Sequence, residues 1–255
     1  MKKTYILSII LSAALSSCTL FGLDYQDSYD YDDSTFNPNT GMSVMDYMRS
    51  KPELFSSMLE AIEYAELEQE YSNPNRTYLL LTNHALSDIR YVPTTVAAEV
   101  GSYFVCNKVP NPNYDPANTI ENPEYLIAKS WTEYPKEQVA SFLKYHILIG
   151  KQTWETGPSK TKEWIKTVAY ETEENADTCL VLFNITNGTL TTGGTKMSFN
   201  GWEAIQPGNL YKTRKTVGPL YSDLFCTDGT VQVINDYLVA PARQIVETTK
   251  YDIQQ

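Results

Sequence analysis

Two different apolar patterns divide this chain, and together they constrain its fold class. Between residues 43 and 89, apolar residues recur at helical spacing, as in Phe55, Met58 and Ile62. From residue 180 onward, the apolar runs are short and are separated by Asn-Gly and Asp-Gly turn pairs. Helices that precede the strands, rather than alternate with them, predict an α+β fold with an antiparallel sheet.

Capping residues predict where the first helices begin. Ser43 and Asp46 are spaced to start a short helix, and Ser50 with Glu53 repeats that spacing. Pro52 fits the first turn of the second helix, because proline lacks an N–H that would need a partner there.

A buried strand is predicted at Tyr78–Leu81, an apolar run with turn residues before it. Thr82 or Asn83 can cap a short helix that follows this strand. The apolar positions of that helix are expected to be Ala85, Leu86 and Ile89.

The first eighteen residues have the layout of an exported, lipid-modified protein. Two lysines precede an eleven-residue apolar run from Tyr5 to Leu15, which is too short to span a bilayer as a permanent helix. The following Leu-Ser-Ser-Cys sequence resembles a lipobox, whose cysteine is diacylated and becomes the mature N-terminus. We therefore predict a lipoprotein signal peptide at residues 1–17 and lipidation of Cys18; ordinary cleavage near Ala14 is the alternative.

Residues 18–41 are predicted to form a disordered acidic tether. No lysine or arginine occurs from Thr19 to Met48, whereas five aspartates alternate with tyrosines between Asp24 and Asp33. Mutual repulsion of these charges favours an extended, solvated segment. The tether is a spacer or, as in the surface-sorting tracts of certain Gram-negative lipoproteins that it resembles, an export signal. The expected location is the outer membrane with the domain at the cell surface, and a periplasm-facing domain is the alternative.

Charge and composition exclude several classes of partner and cofactor. The formal net charge of −11 repels nucleic acids and anionic membrane surfaces. The lipid anchor is therefore the expected link to the membrane, and no nucleic-acid partner is expected. Two histidines, His84 and His146, cannot build a three-histidine metal site, and we expect neither a metal nor a cofactor. After lipidation three cysteines remain, which allows either one disulfide or only free thiols. These are Cys106, Cys179 and Cys226.

Three segments, in order along the chain, resemble the fasciclin domain. Residues 78–86 resemble its first motif, residues 143–150 its Tyr-His motif and residues 229–241 its closing motif. The matching residues include Thr82, Asn83, Tyr145, His146 and Asp236. Between the first two motifs the chain is longer than the family pattern needs, and the extra stretch is rich in proline and asparagine.

This resemblance sets the predicted domain boundaries. A fasciclin-like domain is expected at residues 42–242, with an insertion at about 90–135 and a C-terminal tail at 243–255. The resemblance implies a β-wedge or sandwich with helices packed beside it. Whether the insertion carries function or only covers the surface stays open.

Fasciclin-like domains are mostly adhesion or extracellular recognition modules, so the resemblance implies a protein that is not an enzyme. The sequence contains no Gly-x-Ser-x-Gly elbow, phosphate loop or His-Glu-x-x-His motif. The candidate adhesion residues are those of the three motifs: Thr82, Asn83, Tyr145, His146 and Asp236. For His146, a hydrogen-bonded structural histidine is the alternative interpretation.

Aromatic residues allow a second kind of recognition. The chain has 19 tyrosines and four tryptophans, and aromatic rings stack well on the apolar faces of sugars. Trp131 and Trp154 flank the Tyr-His motif and are the candidate glycan-stacking residues; otherwise these rings cover helices and strand edges.

Three functions therefore follow from the sequence. The first is a surface-anchored adhesion or recognition lipoprotein that binds an extracellular protein or glycan. The second is a glycan-binding accessory protein of an outer-membrane polysaccharide-uptake system. The third is a structural subunit of an envelope or fimbrial assembly.

Overall fold

A computed structural model describes residues 37–89, 101–156, 162–172, 174, 179–186, 196–200 and 219–240. The chain divides into two compact units, Met1–Asn37 and Pro38–Gln255, and all described residues except Asn37 belong to the second. The predicted signal peptide, Cys18, the tether up to residue 36 and the tail at 243–255 lie outside the described residues. No helix in the described ranges is long and apolar enough to cross a bilayer.

The described part of the chain contains five α-helices and two 3₁₀ turns. The turns are Glu68–Tyr71 and Trp131–Glu133. The helices are α1 (Val44–Arg49), α2 (Pro52–Tyr64), α3 (Asn83–Leu86), α4 (Tyr103–Cys106) and α5 (Lys136–Tyr145).

Within the described residues, nine strands form three sheets. They are β1 (Arg76–Leu81), β2 (Val109–Pro110), β3 (Tyr125–Leu126), β4 (Ile147–Ile149), β5 (Lys162–Lys166), β6 (Leu180–Thr186), β7 (Lys196–Phe199), β8 (Pro219–Cys226) and β9 (Gly229–Ile234). The largest sheet has the order β4-β1-β9-β8, a second has the order β5-β6-β7, and β2 pairs with β3. The two larger sheets meet where Leu148 bridges Thr167 and where the Val168 N–H donates to the Ile147 carbonyl at 2.8 Å.

The predicted α+β class is confirmed, but the prediction of an antiparallel sheet is wrong in one place. β1 and β9 run parallel, in a register that sets Leu81 opposite Ile234. A tight hairpin forces two strands to be antiparallel, whereas a long connection leaves their relative direction free. β8 and β9 are antiparallel, and the turn between them consists of Thr227 and Asp228, one residue earlier than the predicted Asp228-Gly229 pair, because Gly229 already pairs with Cys226.

The start of the domain is largely as local signals predict. Ser43 caps α1, with the Asp46 N–H donating to its Oγ at 3.1 Å. The predicted cap at Ser50 is wrong, because Lys51 occupies the N-cap position of α2. The Ser50 hydroxyl instead donates to the Tyr47 carbonyl in the last turn of α1. Pairing with β8 already begins at Pro38, before the predicted domain start at residue 42.

The predicted strand at 78–81 is confirmed, since all four of its side chains are buried. Thr82 occupies the N-cap position of α3, but its side chain makes no capping bond. Ala85 and Leu86 are buried as predicted, whereas Ile89 is 57% exposed and was wrongly assigned to the apolar face. The reason is that α3 ends at Leu86, so its helical spacing does not extend to Ile89.

The described part of the predicted insertion has two different regions. Its ends contribute core residues, namely Tyr103, Phe104, Trp131 and Tyr134. Its middle is exposed, with Ile120 at 93% and Tyr125 at 50%. The insertion therefore builds the domain core at both ends as well as covering its surface.

Cys106, Cys179 and Cys226 are not joined in a disulfide, so the alternative without a disulfide holds for these three residues. Gly229 is required by packing at the start of β9. A Cβ at this position would lie 2.3 Å from Cε2 of the buried Tyr78 ring.

Candidate functional site

The carboxyl ends of the parallel strands β1 and β9 lie side by side, and polar residues follow both. The Thr82 N–H donates to the Ile234 carbonyl at 3.1 Å. The Thr82 hydroxyl donates to Oδ1 of Asn235 at 2.5 Å. Thr82 therefore ties together the residues that leave the two strands, and the backbone there is held by both bonds.

Asn83 fastens α3 to the beginning of α2. Its Oδ1 accepts from the Ser57 N–H at 2.9 Å, while its Nδ2 donates to the Glu53 carbonyl at 3.1 Å and to Ser56 Oγ at 3.0 Å. Because the carbonyl and the amide of this side chain are both used, Asn83 positions the two helices relative to each other.

A groove of about 670 Å³ opens between these elements. It lies among the first turn of α2, the short helix α3, the start of β8 and the end of β9. Its lining consists of Glu53, Leu54, Thr82, Asn83, His84, Ser87, Asp88, Ile89, Leu220 and Asn235.

The groove combines charged, polar and apolar groups. Among its described lining residues, the charged or titratable side chains are Glu53, Asp88 and His84, and Nδ1 of His84 lies 3.4 Å from Oδ2 of Asp88. Leu220 and Ile89 add apolar surface that is 51% and 57% exposed. Such a lining suits a neutral or cationic ligand that also makes apolar contacts.

Sequence reasoning found only part of this groove. Thr82 and Asn83 are the predicted residues that line it, and Asp236 follows Asn235 without being among the lining residues. Asn235 itself was missed, because only the parallel pairing of β1 with β9 brings it to Thr82. Within the described ranges, no group of three or more His, Cys, Asp or Glu side chains is placed to hold a metal ion.

The Tyr-His pair lies elsewhere, in the core at the end of α5. His146 is 1% exposed; its Nδ1 lies 2.8 Å from the Phe142 carbonyl, and its Nε2 lies 2.9 Å from the Leu238 nitrogen. The Leu238 N–H can only donate, so Nε2 accepts and the proton of the neutral ring sits on Nδ1. Burial, which removes water from the charged imidazolium, lowers the pKa of His146 to about 4.

Tyr145 is also buried, and it connects the end of α5 to the sheet β5-β6-β7. Its hydroxyl lies 3.0 Å from the Leu180 carbonyl and accepts from Nδ2 of Asn200 at 3.0 Å. Asn200 reaches further, donating to the Val239 carbonyl at 2.9 Å. Burial raises the pKa of the Tyr145 phenol above its usual value.

These contacts correct one prediction. Tyr145 and His146 are covered by the core, so a direct adhesive contact through their side chains is incompatible with the structure. The alternative of a hydrogen-bonded structural histidine describes the environment of His146.

The two candidate stacking tryptophans have opposite environments. Trp131 is 1% exposed and donates from Nε1 to the Ser57 carbonyl at 2.8 Å. Its ring packs against Phe104 at a centroid distance of 4.8 Å and against Tyr103 at 5.4 Å. The prediction that Trp131 stacks on a glycan is therefore wrong, because other rings cover its faces. Trp154 is 37% exposed and lies beside β8, so it stays a candidate.

No protein-family model matches this chain, and no curated protein matches it. Among solved structures, the chain is similar to a FAS1 domain pair from the insect cell adhesion molecule fasciclin I, which was described as a novel fold. The sequence identity is 12%, the TM-score is 0.38, and the match covers 78% of this chain and 46% of that one. The chain thus spans about half the length of that structure.

Proposed function

We propose that this chain is a lipid-anchored recognition protein of the outer membrane, without enzymatic activity, whose single fasciclin-like domain mediates adhesion at the cell surface. The groove at Thr82 and Asn235 is its binding site for an extracellular protein or glycan. The observation that carries the proposal is the construction of this groove, whose walls are fixed by the bonds of Thr82 and Asn83 before any ligand binds. Preorganisation of this kind lowers the cost of binding.

The arrangement of the three sequence motifs supports a fasciclin-like domain. The first motif continues from β1 into α3, the Tyr-His motif passes from α5 into β4, and the closing motif contains β9. These three strands are neighbours in the order β4-β1-β9. The motifs that lie far apart in the sequence therefore converge on one sheet, and the first and closing motifs meet at the proposed binding site.

The chemistry of the groove supports recognition rather than catalysis. The hydroxyl of Thr82 donates to an amide oxygen of Asn235 and not to a base that could activate it as a nucleophile. Asn83 uses both ends of its amide to hold α2 and α3 together. These side chains shape the groove, and the remaining lining groups offer hydrogen bonds, charge and apolar contact.

A substitution that fills the groove tests this function without knowledge of the ligand. Beads coated with the full-length protein are applied to immobilised extracellular-matrix proteins and to epithelial monolayers. We expect Ser87→Trp to reduce adhesion to that of uncoated beads, because its indole occupies the groove. Glu63→Trp introduces the same side chain at an exposed position of α2 outside the groove, so it is the control and should adhere normally. Equal adhesion of both variants would exclude the groove as the binding site.

The lipid anchor has its own test. In cells, Cys18→Ala should abolish incorporation of labelled palmitate and release the protein from the membrane fraction. External protease should remove the domain of the unmodified protein from intact cells. Protection from the protease would instead assign the domain to the periplasmic side, and membrane retention of Cys18→Ala would contradict the anchor.

Glycan capture for an outer-membrane polysaccharide-uptake system is the second candidate function, and the exposed indole of Trp154 favours it. The third, a structural subunit of an envelope or fimbrial assembly, stays a prediction that co-purification of intact envelope complexes tests.

A further inference from the structure

We propose that Trp154 is the stacking surface of a site for neutral saccharides, and that a buried polar network holds its indole in place for this purpose. The inference rests on the proposed glycan recognition and assigns it to a surface separate from the groove. The network begins at β1, crosses β9 and ends at β8, the far edge of the largest sheet.

The network starts where the loop after β4 crosses the sheet. The Thr77 hydroxyl donates to the Gly150 carbonyl at 2.9 Å and accepts from the Gln152 N–H at 2.8 Å. The Gln152 carbonyl in turn accepts from Nε2 of Gln232 at 2.9 Å. Thr77 and Gln232 are fully buried, so these bonds fix the loop 150–152 against β1 and β9.

Gln232 links β9 to β8 by hydrogen bonds to Asp223. Its Nε2 also donates to Oδ1 of Asp223 at 2.7 Å, and its Oε1 accepts from the Asp223 N–H at 3.1 Å. All polar groups of this buried side chain are therefore satisfied, and the two residues are joined by a reciprocal pair of hydrogen bonds.

Asp223 and Ser222 then hold the tryptophan. The Trp154 N–H donates to Oδ2 of Asp223 at 3.0 Å, and its indole Nε1–H donates to Ser222 Oγ at 2.8 Å. The turn that carries Trp154 is closed by reciprocal bonds between Thr153 and Thr156, each backbone N–H donating to the other's hydroxyl. Both donors of Trp154 are thus used, and the ring has one preferred orientation.

The backbone at Asp223 departs from regular strand geometry. Asp223 has a φ of 55°, a left-handed conformation that aspartate, asparagine and glycine adopt more readily than other residues. The pairing of β8 with β9 also shifts register between Tyr221 and Leu224, as in a β-bulge. A bulge can redirect side chains, and here the Asp223 carboxylate and the Ser222 hydroxyl within it both bond to Trp154, whose indole is exposed.

The surroundings of the ring define the class of ligand. Because the Nε1–H is already bonded to Ser222, the indole offers a ligand only its apolar and π surface. A whole aromatic side chain buries roughly 150–250 Å², and only 37% of the Trp154 surface is exposed, whereas a stable protein interface needs about 800 Å² per partner. A single pyranose ring, stacked by its C–H face, matches the smaller area.

Charge narrows the class further. The exposed Glu155 follows Trp154 directly, and the Asp223 carboxylate lies beside it. With a net charge of −11, the chain repels acidic polysaccharides. Neutral sugars are favoured instead, because their hydroxyls can donate to carboxylates, and the half-exposed Tyr221 adds another polar group on β8.

Calorimetric titration of the full-length protein in detergent tests the inference. The probes are cellohexaose, maltohexaose, laminarihexaose, xylohexaose and mannohexaose. We expect at least one to bind with a Kd below about 1 mM. Trp154→Ala should weaken that binding about tenfold or more. Ser222→Ala, which frees the indole but keeps its area, should weaken it about threefold.

Tyr125→Ala is the matched control, since Tyr125 is an exposed aromatic residue on β3. It should leave the Kd unchanged, and all three variants should keep the Tm of the parent protein. Absence of binding by every probe overturns the inference, as does a Trp154→Ala variant that binds normally. Loss of bead adhesion to a protein surface by Trp154→Ala alone would assign the ring to a protein partner instead. Because Ser87→Trp probes the groove, adhesion can fail while saccharide binding persists, and the reverse.

Discussion

Two polar networks of this domain use similar chemistry and end in opposite environments. Tyr145, His146 and Asn200 connect α5, β6 and the segment after β9, and all three are buried. Gln232 and Asp223 connect β9 and β8, and that network ends at the exposed Trp154. The first joins elements of the core, whereas the second supports a residue at the surface.

The difference separates prominence in the sequence from availability to a partner. The Tyr-His pair belongs to one of the three segments that resemble the fasciclin domain, yet its side chains are buried in the core. Trp154 belongs to none of the three motif segments, yet its ring is exposed and held. Substitutions in the buried network and at the exposed Trp154 should therefore differ in their effects on stability.

The largest effect is expected at the two tryptophans that the sequence could not tell apart. Trp131→Ala removes a ring packed among four aromatic side chains and should lower the free energy of unfolding by about 3–5 kcal/mol. Trp154→Ala removes a half-exposed ring and should cost less than about 1 kcal/mol. Urea denaturation of both variants measures the difference.

Trp131→Phe serves as the intermediate case, because it keeps an aromatic ring but loses the hydrogen bond to Ser57. The decrease in its free energy of unfolding should fall between the decreases of the two alanine variants. If Trp154→Ala proves as destabilising as Trp131→Ala, Trp154 is a core residue and the contrast between the two networks fails.

The next effect is the response of the buried network to acid. The pKa of His146 is lowered from 6.5 to about 4 in the folded protein, so between these values the unfolded chain binds a proton that the folded one does not. The stabilising contribution is fully present above pH 6.5 and decreases as the pH falls toward 4. The difference between the two pKa values corresponds to a loss of about 3 kcal/mol.

His146→Gln isolates this contribution, because glutamine can donate and accept at the same site but does not titrate. The variant should be less stable at neutral pH, and its stability should fall less between pH 6.5 and 4 than that of the unmodified protein. Urea midpoints across this range measure both slopes. Parallel slopes would show that His146 titrates normally in the folded state.

Elements with local signals could be predicted from the sequence. The Ser43 cap and the apolar run of β1 each depend on a few adjacent residues, and the structure contains both. The hairpin turn before β9 is also present, one residue earlier than the predicted Asp228-Gly229 pair. The prediction of Ser50 as a helix cap was wrong, because a capping pattern does not show where the preceding helix ends.

Features that depend on distant partners could not be predicted. His146 bonds to Leu238, which is 92 residues away, and the parallel pairing of β1 with β9 has no local signature. The groove depends on that pairing, so Asn235 was missed while Thr82 and Asn83 were found. For the same reason, only packing distinguishes Trp131 from Trp154.

The last prediction concerns the loop that carries Trp154. Gly150 has a φ of 85°, and a Cβ added there would have only Gln152 Nε2 nearby, at 3.5 Å. Gly150→Ala therefore has room for its methyl group but not a favourable backbone conformation, which should cost about 1–2 kcal/mol. Gly150→Asn should cost less, because asparagine tolerates the left-handed region.

Hydrogen exchange gives the sharper measurement. The Gln152 amide, which bonds to Thr77, and the Trp154 amide, which bonds to Asp223, should both exchange faster in the alanine variant. The Leu238 amide, bonded to His146, should be protected as before apart from the overall loss of stability. Equal acceleration at all three amides would mean that the two networks unfold together and do not form separate units.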